Sequence, residues 1–218
     1  MKLLTFVLLL FTLSTGFAYG QGNTVMLCND YQAGVIYMKG NQKVRVPLNY
    51  DAGKRQVMYQ QNGENMILTN PQMVDSMRIG KDLFCRVENA FYEVVDYPEG
   101  KLLIDWNLRN SNIGYKGAYG TVSQVRSQSV KLYTVMDGEN LYSPETPDSH
   151  QEVYKVKNNN KYLIVKDNRI LRFSNKKSLL KLTGDKSAEA EAAIAKCHTD
   201  FTKAEDVIKV VGCLMPMF

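Results

Sequence analysis

The sequence predicts a mainly β fold of the α+β class: an antiparallel β-rich body that carries a C-terminal cap of two or three short helices. From residue 33 to residue 107, short runs of β-branched, aromatic and other apolar residues are separated by turn residues. No helical periodicity interrupts these runs, and strands that follow one another directly favour antiparallel pairing. After residue 175 the apolar spacing becomes helical. A meander, a sandwich and an open barrel all fit, because strand periodicity does not determine topology.

The composition is that of an ordinary globular chain. Of 218 residues, 44% are hydrophobic and 22% are charged, and the formal net charge is +5. This argues against an intrinsically disordered chain and falls short of the charge of a dedicated nucleic-acid binder, so no nucleic-acid partner is expected. With only two His, a metal centre built from several His is excluded. We expect neither a metal nor a cofactor.

Residues 1–20 are predicted to be a signal peptide. A positive start at Lys2 precedes the apolar run 3–12, and the small residues Ala18 and Gly20 follow. The apolar run is shorter than the roughly 20 residues that a membrane span needs, and no later stretch approaches that length. Cys28 lacks the small residue that precedes a lipid-modified Cys. The mature chain is therefore expected to be exported, periplasmic or secreted, with no lipid anchor and no transmembrane span.

Residues 21–107 form the predicted β-rich region. Its strongest local signal is Asn62–Gly63, because glycine accepts the positive φ that a tight hairpin needs. The predicted strands are Val35–Met38, Val44–Leu48, Arg55–Tyr59, Asn65–Leu68, Met73–Ile79, Leu83–Val87, Phe91–Val95 and Leu102–Trp106.

Residues 108–150 are predicted to be a loop region, since Gly, Ser and Pro are frequent there. Residues 151–174 are predicted to be a basic β-meander of three strands, at 152–156, 162–165 and 170–173. Residues 175–218 form the predicted helical cap, with Asn175 capping a helix that begins at about residue 176. A second helix is predicted over about 186–197, and a third from Thr202, where Thr202 and Glu205 match a capping box. Residues 21–218 are expected to form one domain.

The four cysteines become candidates for disulfides if the chain is exported. Cys28 and Cys85 lie in strand-like stretches, so a bond between them across the sheet is reasonable. Cys197 and Cys213 each close a predicted helix. If these helices are antiparallel, the two sulfurs lie well over 10 Å apart, too far for a bond, whereas a strongly tilted packing would allow the pair to form. No Cys-x-x-Cys spacing supports a redox or zinc-ribbon motif.

Catalytic motifs are largely absent from the sequence. There is no Gly-x-Ser-x-Gly elbow and no phosphate-binding or dinucleotide-binding loop. A hydrolase, for example one directed at glycans, remains the alternative, because paired carboxylates meet only in the fold. The carboxylates considered are Glu93, Asp96, Glu99 and Asp105.

One electrostatic feature stands out between residues 152 and 181: nine cations against two acids. We call these cations the basic stripe. They either keep an outward sheet edge solvated or form a face for an anionic partner, such as a glycan, a lipid headgroup or an acidic protein. The stripe consists of Lys155, Lys157, Lys161, Lys166, Arg169, Arg172, Lys176, Lys177 and Lys181.

Three aromatic residues near the glycine-rich segment suggest a second kind of site. Trp106, Tyr115 and Tyr119 could stack on sugar rings. Core packing is the alternative explanation for Trp106.

The chain also resembles a group of exported proteins that is common in Bacteroidota. The resemblance covers roughly residues 70–210 and rests on the segments 79–80, 91–94, 117–121, 176–181 and 203–206. It implies a location in the envelope or outside a Gram-negative cell, and no activity or catalytic residue. In that lineage Asp75-Ser76-Met77 resembles a short O-glycosylation string on Ser76; the alternative is a chance tripeptide in a strand.

These observations predict an exported, non-enzymatic binding or interaction module of unknown ligand. An anionic partner on the basic stripe is one candidate for the ligand, a solvated sheet edge is the other explanation of the stripe, and a glycan-directed hydrolase is the alternative function.

Overall fold

A computed structural model describes residues 24–116, 122–123, 136–137, 140–141 and 152–218. The predicted signal peptide and most of the predicted loop region lie outside these residues. The described chain is mostly antiparallel β with three short C-terminal helices, so the predicted fold class is confirmed. The strands are β1 (Gln32–Met38), β2 (Gln42–Asp51), β3 (Gln56–Gln61), β4 (Glu64–Ile67), β5 (Val74–Ile79), β6 (Asp82–Val87), β7 (Ala90–Tyr97), β8 (Gly100–Asp105), β9 (Leu108–Lys116), β10 (Val122–Ser123), β11 (Met136–Asp137), β12 (Asn140–Leu141), β13 (Glu152–Asn158), β14 (Lys161–Lys166) and β15 (Arg169–Phe173).

Ten strands form one open antiparallel sheet in the order β15-β14-β8-β7-β6-β5-β1-β2-β3-β4. A second sheet contains β10, β9 and β13, and β11 pairs with β12. Among the described residues every strand pair is antiparallel, as expected for a chain whose successive strands have no intervening helices.

The large sheet curls strongly at β2. The first half of β2 pairs with β1 and the second half with β3. Where the strand bends, a Cβ on Gly34 would come within 2.5 Å of the Leu48 side chain, so only glycine allows this approach. The curl brings the rings of Tyr50 and Phe84 to a centroid distance of 5.7 Å. Two strands separate these residues in the sheet, and a flat sheet would hold them about 14 Å apart.

One antiparallel ribbon links the two sheets. The ladder of β8 with β14 continues in the same register as the ladder of β9 with β13. The chain bends between them, where Asn159 N donates to the Asn107 carbonyl (2.9 Å) and Asn107 N donates to Asn160 Oδ1 (2.8 Å). The predicted three-strand meander over 151–174 is therefore wrong, because β13 belongs to the second sheet. The asparagine run forms a corner between sheets instead of a hairpin turn.

Part of the predicted loop region is also a strand. Residues 108–116 form β9, which pairs along its length with β13. Its Asn and Ser side chains carry no apolar alternation, so its backbone pairing was invisible to a periodicity argument.

Three helices pack on one face of β8, β14 and β15: α1 (Lys176–Leu182), α2 (Ser187–Lys196) and α3 (Ala204–Leu214). Short 3-10 turns occur at Pro71–Met73, Gly184–Lys186 and Met215–Met217. The core of this end of the molecule contains Leu102, Ile104, Tyr162, Ile164, Phe173, Leu179, Ala190, Ile194, Val207, Val210, Val211, Leu214 and Met215. Each fully buried aliphatic side chain contributes about 1.5–3 kcal/mol.

The predicted cap of α1 is present in the structure, and the predicted cap of α3 is not. Asn175 Oδ1 accepts from Ser178 N (2.9 Å) and Ser178 Oγ accepts from Asn175 N (3.1 Å), which is a complete capping box that confirms the predicted cap. The box predicted at Thr202 is wrong. The residue before α3 is Lys203, with no side-chain cap, and the Thr202 hydroxyl instead donates to Asp200 Oδ1 (2.7 Å). In the part of the chain described above, no helix has the length and apolar character to cross a membrane.

Candidate functional site

A cleft of about 560 Å³ opens at the ends of five neighbouring strands of the large sheet. Strands β6, β8 and β15 end there, and β7 and β14 begin there. This volume falls in the range of about 300–1,000 Å³ that is usual for ligand sites. The turn between β2 and β3 contributes Arg55, and the segment between β15 and α1 contributes Ser174. The cleft is thus built from segments that are distant in sequence.

An ion pair joins the β2–β3 turn to the sheet inside the cleft. Arg55 Nη2 donates to Asp105 Oδ1 at 2.6 Å. The Asp105 side chain is only 7% exposed, whereas that of Arg55 is 40% exposed. Arg55 has a φ of 58°, a backbone conformation that is strained for a residue other than glycine. The ion pair thus links this strained turn to the end of β8 and forms part of the wall of the cleft.

Two tyrosines lie near the ion pair. Burial raises the pKa of Tyr50 to about 12, and the Arg55 and Asp105 charges act on its hydroxyl. Tyr92 lines the cleft, and burial, followed by the Asp105 charge, raises its pKa above the usual value. Both hydroxyls therefore stay protonated at neutral pH, and that of Tyr92 is available as a donor to a ligand.

Two members of the basic stripe project into the same cleft from neighbouring strands. Lys161 begins β14, and Arg172 of β15 pairs with Leu163, two residues further along β14. Since side chains alternate along a strand, Lys161 and Arg172 lie diagonally on one face. Both are exposed, and among the described residues neither has a carboxylate within 4.0 Å.

Glu88, in the turn between β6 and β7, is the second acid in the cleft. It is exposed, and in the described chain no cation lies within ion-pair distance of it. Of the four carboxylates considered from the sequence, only Asp105 reaches the cleft. The other three are engaged elsewhere: Glu93 accepts from Trp106 Nε1 (2.6 Å), Asp96 pairs with Lys101 (3.0 Å) and Glu99 pairs with Lys166 (3.5 Å).

The rest of the basic stripe is dispersed over the molecule. Lys155 and Lys157 lie on β13 in the second sheet. Lys166 is largely buried, where its Nζ donates to the Met215 carbonyl (2.8 Å), and Arg169 begins β15 at the opposite end from the cleft. Lys176, Lys177 and Lys181 lie on α1 beside a second, more open depression of about 580 Å³, with Lys176 paired to Glu191 (2.8 Å). The stripe is not a single face.

The predicted sugar-stacking residues do not line the cleft. Trp106 is half-buried and donates to Glu93, as the core-packing alternative expected. It packs against the core under the helices and also against a second buried cluster, which contains Tyr50 and Phe84. Burial raises the pKa of that Glu93 carboxyl. Tyr115 is half-buried on β9 in the second sheet, and Tyr119 lies outside the described residues.

The structure does not bring Cys28 and Cys85 together. Both carry free thiols, and burial raises the pKa of each. Cys28 packs against the cluster that contains Phe84, whereas Cys85, the next residue along β6, points to the opposite face of the sheet. The prediction that both cysteines lie in strands is correct for Cys85 and wrong for Cys28, which lies in a bend before β1. A strand pattern also does not specify the face on which a side chain lies.

Ser76, the residue of the possible O-glycosylation string, is half-buried on β5 between β1 and β6. Its neighbour Met77 is fully buried. Because successive side chains of a strand alternate between faces, the burial of Met77 does not extend to Ser76, and the O-glycosylation of Ser76 stays a prediction.

Arg55, Glu88 and Tyr92 are the cleft residues that sequence reasoning missed. Arg55 lies 50 residues from Asp105, and no local pattern connects the two. Over the described residues, no group of three or more His, Cys, Asp or Glu side chains could hold a metal ion. Comparison of the chain with protein-family models, curated proteins and solved structures gives no match.

Proposed function

We propose that the chain is an exported binding module that recognises an anionic sugar unit in the cleft at Lys161 and Arg172. The observation that carries this proposal is the presence of two exposed cations without carboxylate partners, side by side in a cleft of ligand size. Export itself follows from the signal-peptide pattern at residues 1–20.

The two cations suit a carboxylate or sulfate group. The planar guanidinium of Arg172 can donate two parallel hydrogen bonds to such a group, and Lys161 adds a point charge. Arg55 is already neutralised by Asp105, so its main contribution is to hold the wall of the cleft.

The remaining lining suits a sugar. Tyr92 supplies a ring face and a protonated hydroxyl, and Asn89 and Ser174 supply an amide and a hydroxyl. A membrane surface is too flat to enter a cleft. An acidic protein would need a complementary face of about 800 Å², and the dispersal of the stripe provides no such continuous basic face. Among the anionic partners expected from the sequence, a glycan therefore fits best.

Hydrolysis fits the cleft less well than binding. Retaining and inverting glycosidases use two carboxylates, one of which must carry a proton when the reaction starts. Of the two acids that line the cleft in the described chain, Asp105 is tied to Arg55 by an ion pair of 2.6 Å, so its carboxylate is already engaged at the wall of the cleft. Glu88 is exposed in the β6–β7 turn, and it therefore lacks a second, unengaged carboxylate in the described lining of the cleft with which to form a catalytic pair.

The test compares two variants that lose the same charge. Lys161→Gln with Arg172→Gln removes the cleft cations, and Lys155→Gln with Lys157→Gln removes two cations of the second sheet. Affinity for heparin-derived oligosaccharides is measured by calorimetry, with neutral dextran oligosaccharides of equal length as the ligand control. We expect the cleft variant to bind about tenfold more weakly or worse, which is about 1.4 kcal/mol, and the β13 variant to bind nearly as the unmodified chain does.

Equal losses in the two variants would mean that the charge acts diffusely and would contradict a cleft site. Binding to anionic vesicles or to acidic peptides, without binding to the charged oligosaccharides, would also overturn the proposal. Release of new reducing ends from the oligosaccharides, lost in Glu88→Gln, would establish the hydrolase alternative instead.

A further inference from the structure

The C-terminal ends of α2 and α3 meet at the surface, and each carries a cysteine. Cys197 is the residue that ends α2, and Cys213 lies in the last turn of α3. Their thiols are in hydrogen-bonding contact, and both residues are exposed. This contact does not fit the antiparallel arrangement, which would separate the sulfurs by well over 10 Å, and it fits the tilted packing that the sequence left open. In an antiparallel pair, the C-terminus of each helix lies beside the N-terminus of the other.

Packing below the surface holds the two ends in place. Ile194 of α2 and Val210 and Leu214 of α3 belong to the same buried cluster, each within one turn of its cysteine. His198 follows Cys197 with a φ of 47°, which ends α2 and redirects the chain into the connection to α3. The thiols are therefore held close together by residues that are themselves fixed in the core.

We propose that Cys197 and Cys213 form a disulfide when the chain is in an oxidising compartment. The bond would join the end of α2 to α3 across the surface of the helical cap. The two thiols already interact directly, and both side chains are exposed, so an oxidant can reach them. This inference does not depend on what the cleft binds, so either can fail alone.

The reaction is a thiol–disulfide exchange with a small or protein disulfide as the oxidant. One cysteine, as a thiolate, attacks a sulfur of the oxidant and displaces one thiolate from it, which leaves a mixed disulfide. The second cysteine thiolate attacks the protein sulfur of that mixed disulfide and displaces the other half of the oxidant. The two cysteines lose two electrons and two protons, and the oxidant is reduced to two thiols.

The other cysteines are poorer candidates. Cys28 and Cys85 are half-buried and face opposite sides of the sheet, so neither has a thiol partner within reach in the described chain.

The rate of oxidation should depend on pH. Burial and the neighbouring Cys197 thiol raise the pKa of Cys213, so its thiolate is scarce at neutral pH. We therefore expect oxidation to be faster at about pH 9 than at about pH 7.

The test treats the folded chain with oxidised glutathione, blocks the remaining thiols with an alkylating reagent and digests the product with trypsin. Cleavage after Lys196, Lys203 and Lys209 separates Cys197, in peptide 197–203, from Cys213, in peptide 210–218. The expected result is a monomer that has lost two hydrogen atoms and yields these two peptides as one linked species. A variant with Cys28→Ser and Cys85→Ser should give the same product, and Cys197→Ser should give none.

Three outcomes would overturn the proposal. They are alkylation of both Cys197 and Cys213 after full exposure to the oxidant, a linked species that contains Cys28 or Cys85, and a covalent dimer in place of the internal bond. Because the unmodified chain is the main sample, a variant that fails to fold does not affect the result.

Discussion

Removal of Arg55 should destabilise the fold mainly because it leaves the buried Asp105 carboxylate without its ion-pair partner. Asp105 is 7% exposed, and its carboxylate accepts a 2.6 Å hydrogen bond from Arg55. A hydrogen bond to a charged group is worth about 1.5–3 kcal/mol, and breaking a fully buried ion pair costs about 3–5 kcal/mol. Since the Arg55 side chain is 40% exposed, we expect Arg55→Ala to cost about 2–3 kcal/mol, toward the lower range.

A second substitution separates the charge effect from the loss of a side chain. In Arg55→Ala with Asp105→Asn no buried charge is left unpaired, so at least half of the lost free energy of unfolding should return. Lys101→Ala is the matched control, because it breaks the Lys101–Asp96 pair, in which both side chains are more than half exposed. Exposed pairs contribute about 0–1 kcal/mol.

The measurement is urea unfolding followed by the fluorescence of Trp106, the single tryptophan. With a urea dependence of about 2–3 kcal/mol per molar for a chain of this size, Arg55→Ala should lower the midpoint by about 1 M. The reasoning is refuted if Arg55→Ala costs no more than Lys101→Ala, or if the double variant is as unstable as Arg55→Ala.

Three further predictions concern the sheet, its buried acid and the helical cap. Gly34→Ala should cost about 1–3 kcal/mol in urea unfolding, because the new Cβ overlaps a fully buried leucine where β2 bends; an unchanged midpoint would show that the curl tolerates a side chain there. Burial raises the pKa of Glu93, so folding holds its proton more tightly and stability falls as pH rises from the ordinary carboxyl value through the raised one. The stability of Glu93→Gln, which keeps an acceptor for Trp106, should therefore improve relative to the unmodified chain between about pH 4 and pH 7, and a constant difference would contradict this. The Cys197–Cys213 disulfide closes a loop of 17 residues and should raise the free energy of unfolding by about 3 kcal/mol, seen as a higher urea midpoint that a reducing agent reverses; equal midpoints in both redox states would contradict it.

Features that depend on near neighbours in sequence could be predicted. The Asn62–Gly63 turn forms the β3–β4 hairpin, with φ values of 53° and 82° at the two residues. The Asn175 cap and the start of α1 also match, because a cap is a contact between residues three positions apart. In each case the geometry is determined within a few residues.

Features that depend on the path of the sheet could not be predicted. The contact of Arg55 with Asp105 exists because β2 bends over Gly34, and a lone glycine in a strand pattern does not specify the direction of a bend. The corner at Asn107 and Asn160 likewise depends on a partner about fifty residues away. Without these long-range contacts, neither the cleft nor the split between the two sheets can be derived from alternation alone.

The distribution of charge explains why a count along the sequence overstates the binding surface. Ion pairs engage Lys166 and Lys176 in the structure, and the other stripe cations outside the cleft are divided among β13, β15 and α1. Interactions between exposed charges fade beyond about 8–10 Å at physiological salt, so these cations do not reinforce one another across the molecule. In the cleft, Lys161 and Arg172 can bind an anion. The neighbouring Arg55 already has its charge balanced by Asp105. Stability and affinity should therefore respond to different residues: Arg55→Ala should act first on unfolding, whereas loss of Lys161 and Arg172 should weaken binding and leave the urea midpoint almost unchanged.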